Sequence, residues 1–357
     1  MRRMRALCLG LVVLLCLSVG DGIAGDLNEV GALLVYPVVM TSSDTETLIT
    51  ITNVGPDPVL AHFNYINGDD GPDSVGYCRE CDFQIELTGN DTETLIVRQD
   101  ANSGTVLVAE DSGLSFSCPF PYGMLVVTQE DGTLAPWNTL TDNVLLGEQV
   151  VVNYGAGSAY SIPAIPFQGG SSNDDFRNYS FDDVEFSKLP RVVAADFLAP
   201  RSDGSSSVEL ALFTLGFERQ FPPLTDCSVT GFDAGENPFS ASFQFGCWGI
   251  TDLCAISPEF CHPDLGLFNN DPHHPVSDTH GWVQLNCRVD SNPAAADGFE
   301  AMGGVHGAIL QYQSAASTLP AGSGATVVTP AAWGRLLYQS VTTGDPVVLK
   351  IQHHPFL

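Results

Sequence analysis

Thr47-Leu48-Ile49-Thr50-Ile51-Thr52, then Asn53-Val54-Gly55-Pro56-Asp57-Pro58, then Val59-Leu60-Ala61-His62-Phe63-Asn64-Tyr65 is the stretch that decides the fold. The first and third segments alternate polar and apolar side chains, the mark of a strand with one buried face. The middle segment is dense in turn formers, so the whole reads as a hairpin. Working outward, the same pattern predicts strands at Leu33–Met40, Phe83–Leu87, Thr105–Ala109, Met124–Gln129, Gln149–Asn153 and Tyr160–Ile165. Short strands separated by turn signals point to an antiparallel sandwich or barrel.

The polar, glycine-rich run Gln168–Asp175 interrupts this pattern and reads as a linker or long loop. Beyond it a second β-rich region is predicted at Val192–Phe197, Val208–Leu215, Ser242–Cys247, Trp282–Cys287, Val305–Tyr312 and Arg335–Val341. Between Cys254 and Thr279 the chain holds prolines and histidines and reads as an irregular loop, with one short helix near Asp252–Ile256 or none. No segment of helical period is long enough to form a substantial helix. The expectation is therefore all-β: two antiparallel β-sandwich domains, Ig-like or jelly-roll-like, with long irregular loops. Their bounds are 26–167 and 190–357, with 168–189 between them. Glu46–Thr50 and Ser207–Leu212 echo one another, as equivalent early strands of two similar sandwiches would.

The N-terminus carries its own signal. Met1-Arg2-Arg3-Met4-Arg5 is cationic, Ala6–Val19 is apolar, and the small residues Gly22, Ala24 and Gly25 follow. This is the pattern of a secretory signal peptide, residues 1–25, cleaved after Ala24 or Gly25. Its apolar core of 14 residues falls short of the roughly 20 that cross a bilayer as a helix. A secreted or periplasmic location is expected, with no membrane span in the mature chain. Removal of residues 1–25 takes away Arg2, Arg3, Arg5 and Asp21, leaving 10 basic and 41 acidic side chains. A surface this acidic repels phosphate backbones, so no nucleic-acid partner is expected. Solubility in a salty medium is the economical account of the charge, and binding of divalent cations the sharper one.

Eight cysteines remain in the mature chain: Cys78, Cys81, Cys118, Cys227, Cys247, Cys254, Cys261 and Cys287. In an exported chain they read as disulfides, although eight cysteines allow 105 pairings. Three fall in the first half and five in the second, so complete pairing requires at least one bridge between the halves. Cys78-Arg79-Glu80-Cys81 has redox spacing, but Asp82–Thr88 after it reads as a strand where a thioredoxin-like site needs a helix.

Three further constellations could carry chemistry. His262, His273, His274 and His280 bring imidazoles into one loop, good ligands for zinc, yet no H-E-x-x-H or H-x-H spacing supplies geometry. Asp69, Asp70 and Asp73 form an acidic turn that calcium could use, but they lack the spacing of a calcium loop. No cofactor is predicted; calcium or zinc are the ions these two sets would take. Trp137, Trp282 and Trp333 could line a sugar-binding face, whereas Cys247-Trp248 fits packing beside a disulfide. No G-x-S-x-G elbow and no glycine-rich phosphate loop before a helix occurs.

Ala32–Pro37, Glu46–Asn53, Cys81–Thr88, Leu145–Glu148, Tyr160–Ile165, Phe245–Trp248 and Gly281-Trp282-Val283 resemble a loosely defined group of exported, uncharacterised bacterial β-sandwich proteins. The resemblance implies export and sandwich architecture, and brings no catalytic residues. Where that group has an Asp-rich segment before the Gly-Trp pair, this chain has His273–His280. The expected function is a secreted, non-enzymatic structural or binding protein of the periplasm or cell exterior, with a cell-surface or extracellular protein or glycan as partner. The first alternative is a carbohydrate- or divalent-cation-binding protein. The second is a metal-dependent enzyme centred on His262–His280. Nothing in the sequence sets the oligomeric state.

Overall fold

The computed structural model describes residues 29–67, 78–101, 104–130, 139–140, 142–170, 178–181, 183–198, 206–215, 225–233, 238–260, 280–289, 304–313, 331–339 and 347–350. The protein is all-β and sandwich-like. Its first half holds β1 (Leu33–Met40), β2 (Thr45–Asn53), β3 (Val59–Asn67), β4 (Glu80–Leu87), β5 (Asp91–Gln99), β6 (Thr105–Ala109), β7 (Ser115–Cys118), β8 (Tyr122–Glu130), β9 (Thr139–Leu140), β10 (Leu145–Asn153), β11 (Ser158–Pro163) and β12 (Ile165–Phe167). Next comes β13 (Asn178–Phe181). The second half holds β14 (Val192–Leu198), β15 (Ser206–Phe213), β16 (Thr225–Asp233), β17 (Pro238–Phe245), β18 (Trp248–Asp252), α1 (Leu253–Ile256), β19 (His280–Val289), β20 (His306–Gln313), β21 (Ala331–Leu336), β22 (Tyr338–Gln339) and β23 (Val347–Lys350). The helix begins where the Asp252 carboxylate accepts the Cys254 N–H at 2.6 Å, a side-chain cap for an orphan donor.

Among the described residues the named strands pair antiparallel throughout. The first half forms two sheets, β12-β1-β8-β3-β4 with β9 beside β8, and β11-β10-β2-β5-β6-β7. The second forms β22-β14-β19-β16-β17 and β21-β20-β15-β18. Taken in chain order, β14 matches β1, β15 matches β2, β16 matches β3, β17 matches β4, β18 matches β5, β19 matches β8, β20 matches β10, β21 matches β11 and β22 matches β12. Under that matching the strand orders coincide, with β6, β7 and β9 as additions to the first half. Glu46–Thr50 and Ser207–Leu212, the echo in the sequence, lie on the equivalent strands β2 and β15.

One expectation fails. Thr47–Tyr65 is not a hairpin: β2 pairs with β10 and β5, whereas β3 pairs with β4 and β8 in the other sheet. The turn at Val54–Pro58 carries the chain between sheets. Buried Asn53 fixes the crossing, donating to the carbonyls of Asp57 (2.8 Å) and Thr88 (3.0 Å) while its own carbonyl accepts the Gly55 N–H (2.9 Å). Turn formers specify a reversal, but not which edge the next strand meets.

Three apolar cores result. One fills the first half, around Ile49, Phe63, Phe83 and Leu125. A second fills the second half, around Phe197, Leu210, Leu285 and Phe260. The third lies between the halves, where Val35, Met124 and Val126 meet Ala211, Phe213, Trp248 and Leu310. β1, β3 and β8 are consequently buried along both faces, while β2 keeps alternating burial. Apolar surface on two faces is what the unbroken run Ala32–Val39 supplies, Pro37 included. The segment expected as a linker contributes Phe181, Phe186 and Leu189 to this third core, and β13 pairs with β23.

Candidate functional site

Two surfaces of the second half present side chains suited to a ligand, and each begins with strand alternation. In β14, β16 and β19 the odd-numbered residues Val193, Ala195, Val229, Val283 and Leu285 enter the core. The even-numbered residues of these strands and of neighbouring β17 then cover the opposite, outward face. Strand register lays them out in rows: Pro238, Phe232, Trp282 and Asp196; then Ser240, Thr230, Gln284 and Ala194; then Ser242, Ser228, Asn286 and Val192.

The first row carries an aromatic platform. Trp282 is 37% exposed and stacks on Phe232 with ring centroids 4.2 Å apart and planes 10° from parallel. Beneath it, Gly231 makes room for Phe239 and Phe260; a Cβ at 231 would fall 2.4 Å from the Phe239 ring. At the row's end the Asp196 carboxylate meets Arg335 of β21 at 3.1 Å, and the Asp196 carbonyl accepts from the same guanidinium. The rows behind offer hydroxyls and carboxamides. A flat aromatic surface beside such groups stacks against the C–H face of a puckered, saturated ring and bonds its hydroxyls.

The second surface is concave. A cleft of about 440 Å³ opens at the rim of the third core, between Met40 and Tyr122 of the first half and Glu209, Phe243, Trp248 and Ile250 of the second. Trp248 anchors it: the residue is 2% exposed, and its indole N–H donates to the Pro37 carbonyl at 2.6 Å. That carbonyl is available because the ladder between β1 and β8 shifts register between Tyr36 and Val39. Glu209 lies directly across the ladder from Asp252. Burial first, and the Asp252 charge second, push the Glu209 carboxyl above its ordinary range, while a hydrogen bond from Tyr312 opposes them. Burial also pushes the Tyr160 hydroxyl up to about 12; it lies 3.3 Å from the Tyr312 hydroxyl.

A third polar group is closed. His62 Nδ1 and Glu130 Oε1 are 2.5 Å apart on β3 and β8, and Gln84 of β4 donates to the other Glu130 oxygen at 2.5 Å. His62 and Glu130 are almost wholly buried, and a satisfied cross-strand network is the account that burial supports.

Of the residues singled out in the sequence, Trp282 stands on the platform. Asp69, Asp70, Asp73, Trp137, Cys261, His262, His273 and His274 lie outside the described residues. His280 and Trp333 occupy backbone positions in β19 and β21, opposite Leu198 and Gln311. Cys78 pairs with Cys247 across the halves, Cys81 with Cys118, and Cys227 with Cys287. Cys254 is also disulfide-bonded. The two cysteines of the C-x-x-C thus take different partners, a structural arrangement in place of a redox pair. Phe232 and Glu209 were not singled out: an aromatic among small polar residues, and a glutamate in an alternating strand, both look like ordinary surface.

No family model, curated protein or solved structure matches this chain.

Proposed function

We propose that the protein is an exported, non-enzymatic binding protein whose ligand face is the outer surface of β14, β16, β17 and β19, and that its ligand is a carbohydrate. The exposed Trp282 ring stacked on Phe232 carries this reading. A stack of two rings on a solvent-facing sheet leaves apolar area uncovered, and the flanking Thr230, Gln284, Asn286 and Asp196 supply the donors and acceptors that a sugar's hydroxyls require. The sheet is rigid, so few side chains lose freedom on binding.

Export is supported by the cationic and apolar N-terminus and by the disulfides, which persist in oxidising compartments. Among the described residues no helix is long and apolar enough to cross a membrane.

The test is a glycan array followed by titration of the best glycan into the unmutated protein and Trp282→Ala. Saturable binding is expected, weakened about tenfold or more by the substitution, from the lost apolar contact. Binding no stronger than to an unrelated neutral sandwich protein, or a Trp282→Ala protein that binds equally well, would overturn the reading.

A further inference from the structure

The cleft between the halves has a composition of its own. Its walls are Met40, Tyr122, Phe243, Trp248 and Ile250, and Glu209 supplies its carboxylate. Tyr122 and Trp248 stand with ring centroids 6.1 Å apart. Asp252, directly across the ladder from Glu209, adds a second negative charge behind the wall. Among the described residues, the side chains that perturb Glu209 are Asp252 and Tyr312, neither of them a cation. Two carboxylates are thus held together at an apolar, aromatic-lined opening, and their mutual repulsion would be relieved by a positive charge placed in the cleft.

The chemistry of that charge follows from the donor set. A hard divalent ion takes six to eight oxygens, whereas the side chains lining this cleft offer oxygens from Glu209, Tyr122, Gln244 and Thr251 amid apolar walls. An ammonium on an apolar body matches better: the head pairs with Glu209 and faces aromatic rings, and the body covers Met40, Phe243 and Ile250. The geometry points to a binding site for a small organic cation, an alkyl- or arylammonium, formed jointly by the two halves. Its carboxylate, Glu209, stands on β15 in the other sheet from Trp282, although β17 borders both sites.

Benzylammonium and the isosteric neutral benzyl alcohol are the probes, titrated into the intact protein while the Met40 methyl and Trp248 indole resonances are followed. Saturable shifts are expected with benzylammonium at about tenfold lower concentration than with the alcohol. Glu209→Gln should erase that preference, and Trp282→Ala should leave it intact. Equal affinity for the two probes, or no saturable shift with either, would overturn the proposal. The comparison on the unmutated protein decides the matter even where Glu209→Gln fails to fold.

Discussion

The two halves share one strand order but bury opposite members of it. In the first half the sheet built on β1, β8 and β3 is covered on both sides, and its partner sheet turns one face to solvent while Val151, Tyr160 and Ile162 join the core between the halves. In the second half the sheet equivalent to that partner, β21-β20-β15-β18, is covered on both sides. The sheet equivalent to the first half's inner one, built on β14, β19 and β16, turns outward. The halves are therefore stacked head to tail, each using a different face of one topology. Such a heterologous contact, repeated, would continue without closing. The end faces differ from the buried ones in carrying polar side chains: Thr52 and Thr92 share a 2.9 Å hydrogen bond on one, and Ser228, Ser240, Ser242 and Asn286 lie beside the Trp282–Phe232 stack on the other. The difference teaches that strand order leaves the assembly open, and that side chains on alternate positions decide which faces meet.

The sharpest way to break this comparison uses two tryptophans of the second half. Trp248 lies in the core between halves and Trp282 on the outward sheet. Trp248→Ala should destabilise the protein by about 3–5 kcal/mol through cavity formation and the lost bond to Pro37. Trp282→Ala should cost less than about 1 kcal/mol. Urea unfolding of both variants checks this, and equal losses would mean that the faces are not differently used.

A somewhat smaller effect comes from His306, which sits at the start of β20 in the same inter-half layer, stacked on Phe213. Burial pushes its imidazole down to about 4, partly offset by its hydrogen bonding to Gly307. The unfolded chain takes up a proton near pH 6.5 and the folded chain does so near pH 4. Stability is thus complete above about pH 6.5 and falls as pH drops from there to 4, by on the order of 3 kcal/mol. Glu209, with its carboxyl raised, acts in the opposite direction as pH falls toward the ordinary carboxylate range. The difference in acid sensitivity between the unmutated protein and His306→Asn isolates the histidine. An unchanged acid profile in that variant would place His306 outside the buried layer.

Much of the fold was legible because alternation is a direct consequence of strand geometry. Leu33–Met40 and Thr105–Ala109 were bounded correctly from pattern alone, whereas the sequence left open whether a short helix stands near Asp252, where the structure has one. β5 was missed because Glu93 breaks its apolar face. That carboxylate is buried, and although burial alone would raise its pKa, the backbone N–H groups of Asp111, Ser112 and Thr94 hold it below the ordinary range. β16 was missed because Gly231 and small polar residues replace the large side chains that mark a strand. The pairing of β2 was misread because a turn and a sheet crossing use the same residues. At the candidate site the sequence offered Trp282 only as one of three tryptophans that could line a sugar-binding face; its outward register came from the structure. Its partner Phe232 became visible only when register placed the two rings in one row. Glu209 needed a tertiary fact, the approach of Met40 and Tyr122 from the other half.

The core between the halves is expected to make them one cooperative body, independently of the Cys78–Cys247 bridge. Differential scanning calorimetry of the protein carrying Cys78→Ser and Cys247→Ser tests it most directly. One transition is expected, with calorimetric and van't Hoff enthalpies in agreement, at a lower temperature than with the bridge intact. Two separate transitions would contradict it.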